Sequence, residues 1–444
     1  MKKTTILLFV IFTSFITQGQ TELLQSGPMV GYSDFREVLI WVQTKAAAEV
    51  KIEYQATDEQ ESHFTESLTT SKDNDFIAKL YPNEVDYGKT YTYKLYINGD
   101  YVPRAYPLEF KTQTLWQWRT DPPDFSFAIG SCFYANEPKD DRPGKPYGDG
   151  YEIFNSILEK DPDFMVWLGD NVYLRTPDFL TERGIRHRYR YVRATPELQP
   201  LLGSIHHYAT WDDHDYGPND SDRSYVNKDI TEKTFNDYWG NLNTDAAKIG
   251  GITSHFLWND LEFFMMDNRY HRDPNRQKTP NKAYLGQAQL DWLIKALTSS
   301  KATFKIVCIG GQTISDAAVY ENYATYPEER QALLERLDKE KIEGVVFMSG
   351  DRHHTELSRL DRPEAYPLID ITCSPLTSGV HKPRDEGNTL QVEGKTFYQR
   401  NFGLVKVSGP RTDRQLVLTI YNQKGEKVWD YGIKAKRLRY TKKD

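Results

Sequence analysis

With 444 residues, the chain exceeds the roughly 250 to 300 residues at which a single hydrophobic core stops growing, so it divides into two or more domains. Its 63 acidic residues outnumber 56 basic ones, for a net charge of -7. That balance excludes the basic footprint of a nucleic-acid-binding protein and leaves carboxylates available to hold cations.

Residues 1–20 read as a secretory signal: Lys2 and Lys3, an apolar run over 6–16, then small residues ending near Gly19 or Gln20. The run is short for a membrane span, and a retained N-terminal anchor is the alternative. The expected location is periplasmic, outer-surface or extracellular. No later segment approaches the length of a transmembrane helix. From 21 to 120, alternating segments at 38–42, 50–54, 91–96 and 108–112, with a tight turn at Asn98-Gly99-Asp100, predict a β-sandwich of fibronectin type III or immunoglobulin type. Nothing in it reads as catalytic.

A linker rich in Trp, Asp and Pro over 116–123 precedes a change of pattern. Residues 121–444 alternate strand-like and helical runs, which predicts an α/β layered domain with strands flanked by helices. Strands are expected at 125–129 and 164–168, a helix at 151–160, and a basic helical region at 179–202. A hairpin turns about Asn259-Asp260. Amphipathic or charged helices over 285–297 and 327–341 feed strands at 304–309 and 345–348, and 402–433 returns to strands.

One arrangement recurs. Four apolar runs each end in metal-capable side chains: Gly130-Ser131-Cys132, Gly169-Asp170 with Tyr173, Trp211-Asp212-Asp213-His214-Asp215, and Gly350-Asp351-Arg352-His353. Ligands of open α/β sheets bind at the carboxyl ends of strands, so these ends can converge on one site. Adjacent carboxylates such as Asp212, Asp213 and Asp215 raise each other's cost of ionising unless a cation or bulk water offsets them. By itself that run fits a solvated turn as well as a metal centre. Thiolate and phenolate ligands favour a polarising ion such as iron, whereas surplus carboxylate oxygens suit calcium or magnesium. Of the other cysteines, Cys308 and Cys373 read as core residues.

These motifs, in this order behind a β-sandwich, resemble the alkaline phosphatase D (PhoD-like) metallophosphoesterases. Asp267-Asn268-Arg269-Tyr270 and the stretch 285–293 read as further landmarks of that family. The resemblance covers roughly residues 25–410 and implies a metallophosphoesterase-like α/β domain that hydrolyses phosphate mono- or diesters with Fe3+ and Ca2+. It assigns Cys132, Asp170 and Tyr173 to iron, with Asp170 shared with calcium. Asp213, Asp351 and His353 complete the metal shell, and Asn219 is a calcium ligand or phosphate contact. Attack on phosphorus by a metal-generated hydroxide is then expected. His214, oriented by Asp215 or Asp212, would protonate the leaving alkoxide or hold the substrate, and Arg175 would clamp the phosphate. Asp215 stands where glutamate is more usual, which puts its role in doubt.

Two other readings stand beside the exported phosphatase. One is a phosphodiesterase acting on phospholipid or cell-wall phosphodiesters. The other is a surface-binding protein with an inactive phosphatase-like domain. Either enzyme implies a phosphate-ester substrate, no nucleic acid as structural partner and no integral membrane span once the signal is removed. Bland readings accompany the residues too: Cys132 as core, Tyr173 as packing aromatic, His354 as support for His353, and the arginines from Arg183 to Arg193 as a solvated helix face.

Overall fold

The computed structural model describes residues 22–440, so the signal-like stretch over 1–20 lies outside the described residues. The chain forms two compact units. The first takes Met1–Leu115 together with Arg193–His207 and Asp237–Gly240; the second takes Trp116–Val192, Tyr208–Asn236 and Asn241–Asp444.

In the first unit, β1 (Leu24–Ser33), β2 (Val38–Thr44) and β6 (Ile77–Leu80) form an antiparallel sheet. Its partner sheet is built on β3 (Glu49–Ala56) and β7 (Thr90–Ile97). The short strands β4 (Ser62–Phe64), β5 (Leu68–Thr69), β8 (Asp100–Val102) and β9 (Glu109–Lys111) complete it. β3 alternates buried and open positions, as a half-buried strand must, whereas every residue of β2 is buried. Ile40, Val42, Ile52, Tyr54, Leu95 and Phe110 share one core between the sheets, so the expected sandwich is present. The later segments are bonded into it. Gly27 N donates to Gln199 Oε1 at 2.8 Å, and Lys111 N donates to His206 Nε2 at 3.0 Å.

The second unit is layered α/β. One sheet runs β22 (Lys427–Lys434), β21 (Gln415–Asn422), β20 (Asn401–Ser408), β10 (Phe125–Gly130), β11 (Phe164–Leu168), β12 (His206–Thr210). The other runs β13 (Ser254–Trp258), β14 (Leu261–Met265), β15 (Phe304–Ile309), β16 (Val345–Ser349), β18 (Leu368–Thr372), β17 (Thr355–Leu360), β19 (Gln391–Phe397). Pairing is parallel for β10 with β11 and from β14 through β15 and β16 to β18. β11, β15 and β16 are buried throughout, which explains their continuous apolar runs. Aromatics fill the space between the sheets: Phe127 stacks on Phe164 at 5.0 Å, and Phe164 meets Trp258 at 4.6 Å.

The helices are α1 (Ile153–Leu158), α2 (Glu182–Arg193), α3 (Gln199–Ser204), α4 (Asp213–Tyr216), α5 (Lys228–Tyr238), α6 (Gln287–Ser299) and α7 (Pro327–Lys339). The basic region 179–202 is thus two helices, broken near Pro196. Of its arginines, Arg183 is exposed, but Arg186, Arg188 and Arg193 are buried rather than part of a solvated face. Arg188 is fully buried and donates from Nε to Asp178 Oδ2 at 2.9 Å. Among the described residues no helix is long and apolar enough to cross a membrane.

Candidate metal centre

Four strand ends supply the site. Ser131 and Cys132 follow β10; Gly169, Asp170 and Tyr173 follow β11; Trp211 and the acidic run follow β12; Gly350, Asp351 and His353 follow β16. Backbone hydrogen bonds tie these exits together. Cys132 N donates to Gly169 O at 3.2 Å, Phe133 N to Asp170 O at 2.8 Å, and Leu174 N to His214 O at 3.0 Å. Glycine is required where the ends crowd: a Cβ on Gly350 would stand 2.6 Å from Leu168 O, and one on Gly310 2.6 Å from Asp212 Cγ.

Donor atoms converge in three overlapping groups, each within 4.8 Å: Cys132, Asp170 and His353; Asp170, Asp213 and His214; Asp213, Asp220 and Glu321. Asp170 links the first group to the second, and Asp213 the second to the third. The Tyr173 hydroxyl donates to Asp170 Oδ2 at 3.1 Å and lies 3.3 Å from His353 Nε2. Cys132 Sγ lies 3.6 Å from the same Asp170 oxygen. His353 donates from Nδ1 to Gly379 O at 2.6 Å, which fixes the tautomer and leaves the Nε2 lone pair facing the group. A cavity of about 430 Å³ opens over these residues, with Asp351 and Asn219 also in its lining.

The backbone is bent to deliver these side chains. Cys132 (φ 59°), Asp170 (52°), Asp220 (62°), Glu321 (58°), Asp351 (68°) and His353 (53°) all lie in the left-handed region. Each such residue costs on the order of 1 kcal/mol or more, and such strain gathers at functional sites.

Burial dominates the electrostatics. It pushes the Cys132 thiol up to about 12. It also raises Asp170, Asp351 and Tyr173 well above their ordinary ranges, with nearby carboxylates adding to the effect. Asp213 moves the other way: burial opposes ionisation, but His214 and Arg269 outweigh it. Burial lowers His214 from its ordinary value, opposed by the neighbouring Asp213. Asp212 Oδ2, Asp213 Oδ1 and His214 Nδ1 are buried with no hydrogen-bond partner among the described residues. Crowded acids and orphaned acceptors are what bound cations satisfy, so this donor set fits a metal centre.

The expected residues do not all meet. Cys132, Asp170, Tyr173, Asp213, His214 and His353 converge. Asp351 lines the cavity outside the three groups, and exposed Asn219 donates from Nδ2 to Asp220 Oδ1 at 2.7 Å. Asp215 does not orient His214. Its oxygens are taken by the backbone amides of Asn171 (2.9 Å), Val172 (3.0 Å) and Asp212 (2.9 Å). Arg175 is not part of the cavity lining; its guanidinium stands 5.9 Å from the Tyr134 ring centre, and Arg142 and Arg352 line the cavity instead.

Two residues with clear contacts went unread in the sequence. Arg269, marked only as a landmark, donates from Nε to Asp212 Oδ1 at 2.6 Å and from Nη2 to Glu321 Oε1 at 2.8 Å. Asn268 Nδ2 adds a bond to the same Asp212 oxygen at 2.8 Å, which supplied the landmark with its reason. Glu321 had no signal of its own, because it follows no strand and stands beside no other acid.

A model of the family described as PhoD-like phosphatase matches residues 127–408. The chain belongs to the PhoD-like phosphatase family. Residues 21–115 match another family, described as a domain of unknown function (DUF7800). Alkaline phosphatase D of Bacillus subtilis (strain 168) is 22% identical over 305 residues, covering 56% of this chain and 49% of that protein. The chain therefore spans about half the length of this curated relative. Among solved structures, that of PhoD superposes with a TM-score of 0.72 at 16% identity, covering 92% of both chains. Purple acid phosphatase PPD1 of yellow lupin (Lupinus luteus) gives 0.64 at 14% identity, covering 92% of this chain and 74% of that one. These likenesses establish the metallophosphoesterase-like fold.

Proposed function

We propose that the chain is an exported, metal-dependent phosphoesterase that hydrolyses phosphate mono- or diesters. The convergence of the Cys132 thiol, the Tyr173 phenol, Asp170 and His353 on one point carries this reading. A soft sulfur, a phenolic oxygen and an imidazole suit ferric iron, while the carboxylates of Asp170, Asp213 and Asp351 with Asn219 suit calcium. Such ions supply an acidified water near neutral pH and positive charge for the phosphoryl oxygens. Residues 121–444 would form the catalytic domain and 21–120 an accessory sandwich.

The chain's own groups do the rest. Arg142, exposed on the cavity lining, offers paired donors to non-bridging phosphate oxygens, while buried Arg352, bonded to Glu386, adds positive charge beside them. His214, whose proton affinity burial holds down, gains affinity when an anionic phosphate enters beside it. It then holds the ester or hands that proton to the leaving alkoxide. Asp212, held by Asn268 and Arg269, keeps the start of α4 in place rather than touching substrate.

The test is spectroscopic and kinetic. Protein reconstituted with ferric iron and calcium should show a visible phenolate-to-iron band and release phenol from aryl phosphates. Cys132→Ala and Tyr173→Phe should lose the band, while His214→Ala keeps it and loses roughly 100-fold or more in kcat. A colourless, inactive protein after reconstitution overturns the reading, and a near-normal rate in His214→Ala removes that residue from proton transfer.

A further inference from the structure

Beside the metal cavity runs a groove of about 670 Å³ lined by Arg142, Lys145, Tyr147, Val380, Gln399 and Arg400, with prolines and Gln423 completing it. Arg142 and Tyr147 line both spaces, so the two adjoin. Their charge is opposite. The metal cavity is lined by Asp170, Asp213, Asp220, Glu321 and Asp351, whereas three cations and no carboxylate line the groove.

The groove is also coupled to the donor group by contact. The Arg142 guanidinium lies 3.8 Å from the Tyr147 ring centre, and the Tyr147 hydroxyl lies 3.1 Å from His353 Nδ1. Arg400 is held in place, with Nε donating to Ser378 O at 3.2 Å and Nη1 3.6 Å from Asp149 Oδ2. Arg142 and Lys145 are exposed, and among the described residues neither has an ion pair. Pro143, Pro146 and the half-exposed Val380 give the groove an apolar wall between its charges.

A lone phosphate monoester needs none of this, since its single anion belongs over the metals. We propose that the groove is a subsite for a second anionic group carried by the same substrate, a phosphate joined through a short carbon linker to the alcohol side of the scissile ester. This rests on the phosphoesterase reading. Water adds its oxygen to phosphorus, the P–O bond to the linker alcohol breaks, the alcohol oxygen takes the proton, and the second phosphate stays in the groove on the leaving arm. Phosphate suits the lining because guanidinium and ammonium groups bind it through charge-assisted bonds, and the apolar wall accepts the linker.

The experiment uses the metal-loaded protein and phosphonates, whose C–P bond is not hydrolysed. Alkane-α,ω-bisphosphonates of three to six carbons and the matching alkyl monophosphonates are titrated calorimetrically. At least one bisphosphonate should bind about tenfold more tightly than its monophosphonate. Lys145→Glu, a surface change, should shrink that advantage to about twofold or less, and Arg400→Gln should do the same by a different route. Equal affinities across the series, or an advantage that survives both substitutions in folded protein, overturns the proposal. Turnover of propyl phosphate and of a dialkyl phosphate diester is followed in parallel. Absence of both would sink the phosphoesterase reading, while the phosphonate comparison still decides the groove.

Discussion

Asp215 serves the centre without reaching it. It is fully buried, and three backbone N–H groups point at its two oxygens, so it bonds the exit of β11 to the start of α4. An ionised carboxylate is an acceptor only, which suits a site surrounded by donors. Asp215→Asn keeps the volume but turns an N–H2 toward a backbone N–H. Leaving such buried donors unmatched costs about 2 to 3 kcal/mol, to be read as a lower denaturation midpoint. Metal occupancy should fall with it, because Asp170 and Asp213 sit on the two segments it joins. A loss below about 0.5 kcal/mol would mean that the amides find other acceptors. Asp215 is expected from sequence to face His214, whereas its oxygens face the backbone amides of Asn171, Val172 and Asp212. The side-chain bearing depends on the single turn of helix that starts at Asp213, and adjacent residues of a turn point apart.

Strand ends were the most legible elements, since a glycine after a buried run, followed by acids or a histidine, marks an exit from the sheet. β17, β18 and β19 were not read: β17 carries Glu356 and Arg359, and β19 is polar and partly open along its length. Glu356 explains how a buried charged residue is tolerated there. It accepts bonds from Gln312 beyond β15 and from Gln391 of β19 at 2.7 Å, and lies 3.5 Å from His354 Nε2. Burial works against its ionisation, but the bonds from His354, Gln391 and Gln312 prevail and hold it at about 2, below its ordinary 4.5. A depressed carboxyl stabilises the fold above its unfolded value, and that contribution is lost as pH falls through the folded one. This part of the stability should therefore be intact above pH 4.5 and disappear on the way to about pH 2. Glu356→Gln should lose on the order of 1 to 3 kcal/mol at pH 7 and lack this acid dependence. Denaturation midpoints for the two proteins should converge near pH 2; parallel curves across that window would refute the assignment.

At the scale of the whole chain, the period of the pattern changes from strand alternation to mixed strand and helix past the 116–123 linker, close to Leu115 where the first unit's leading segment ends. What the sequence hid is that the first unit draws on later segments, Arg193–His207 and Asp237–Gly240. Those residues read as part of the second unit's helices and strands, since local pattern carries no record of long-range partners. Their contacts show why they belong to the first. Arg193 Nη2 donates to Tyr238 O at 2.9 Å, and its guanidinium stands 5.5 Å from the Trp41 ring centre. His206 donates from Nδ1 to Gly31 O at 2.8 Å while accepting from Lys111 N, so it bridges two strands of the sandwich with both ring nitrogens. A cut at the linker would therefore not separate two self-sufficient pieces. Residues 116–444 expressed alone should keep Gln199, His206 and Tyr238 but lose Gly27, Lys111 and Gln43, their partners in the first unit. Stranding these buried polar groups at about 1 to 3 kcal/mol each, and uncovering the apolar surface around them, is comparable with the roughly 5 to 15 kcal/mol that holds a domain together. The fragment should aggregate or bind a hydrophobic dye strongly, whereas the full chain melts cooperatively. A soluble fragment with a sharp melt and an unaltered metal content would show that the two later segments can be released without unfolding the rest.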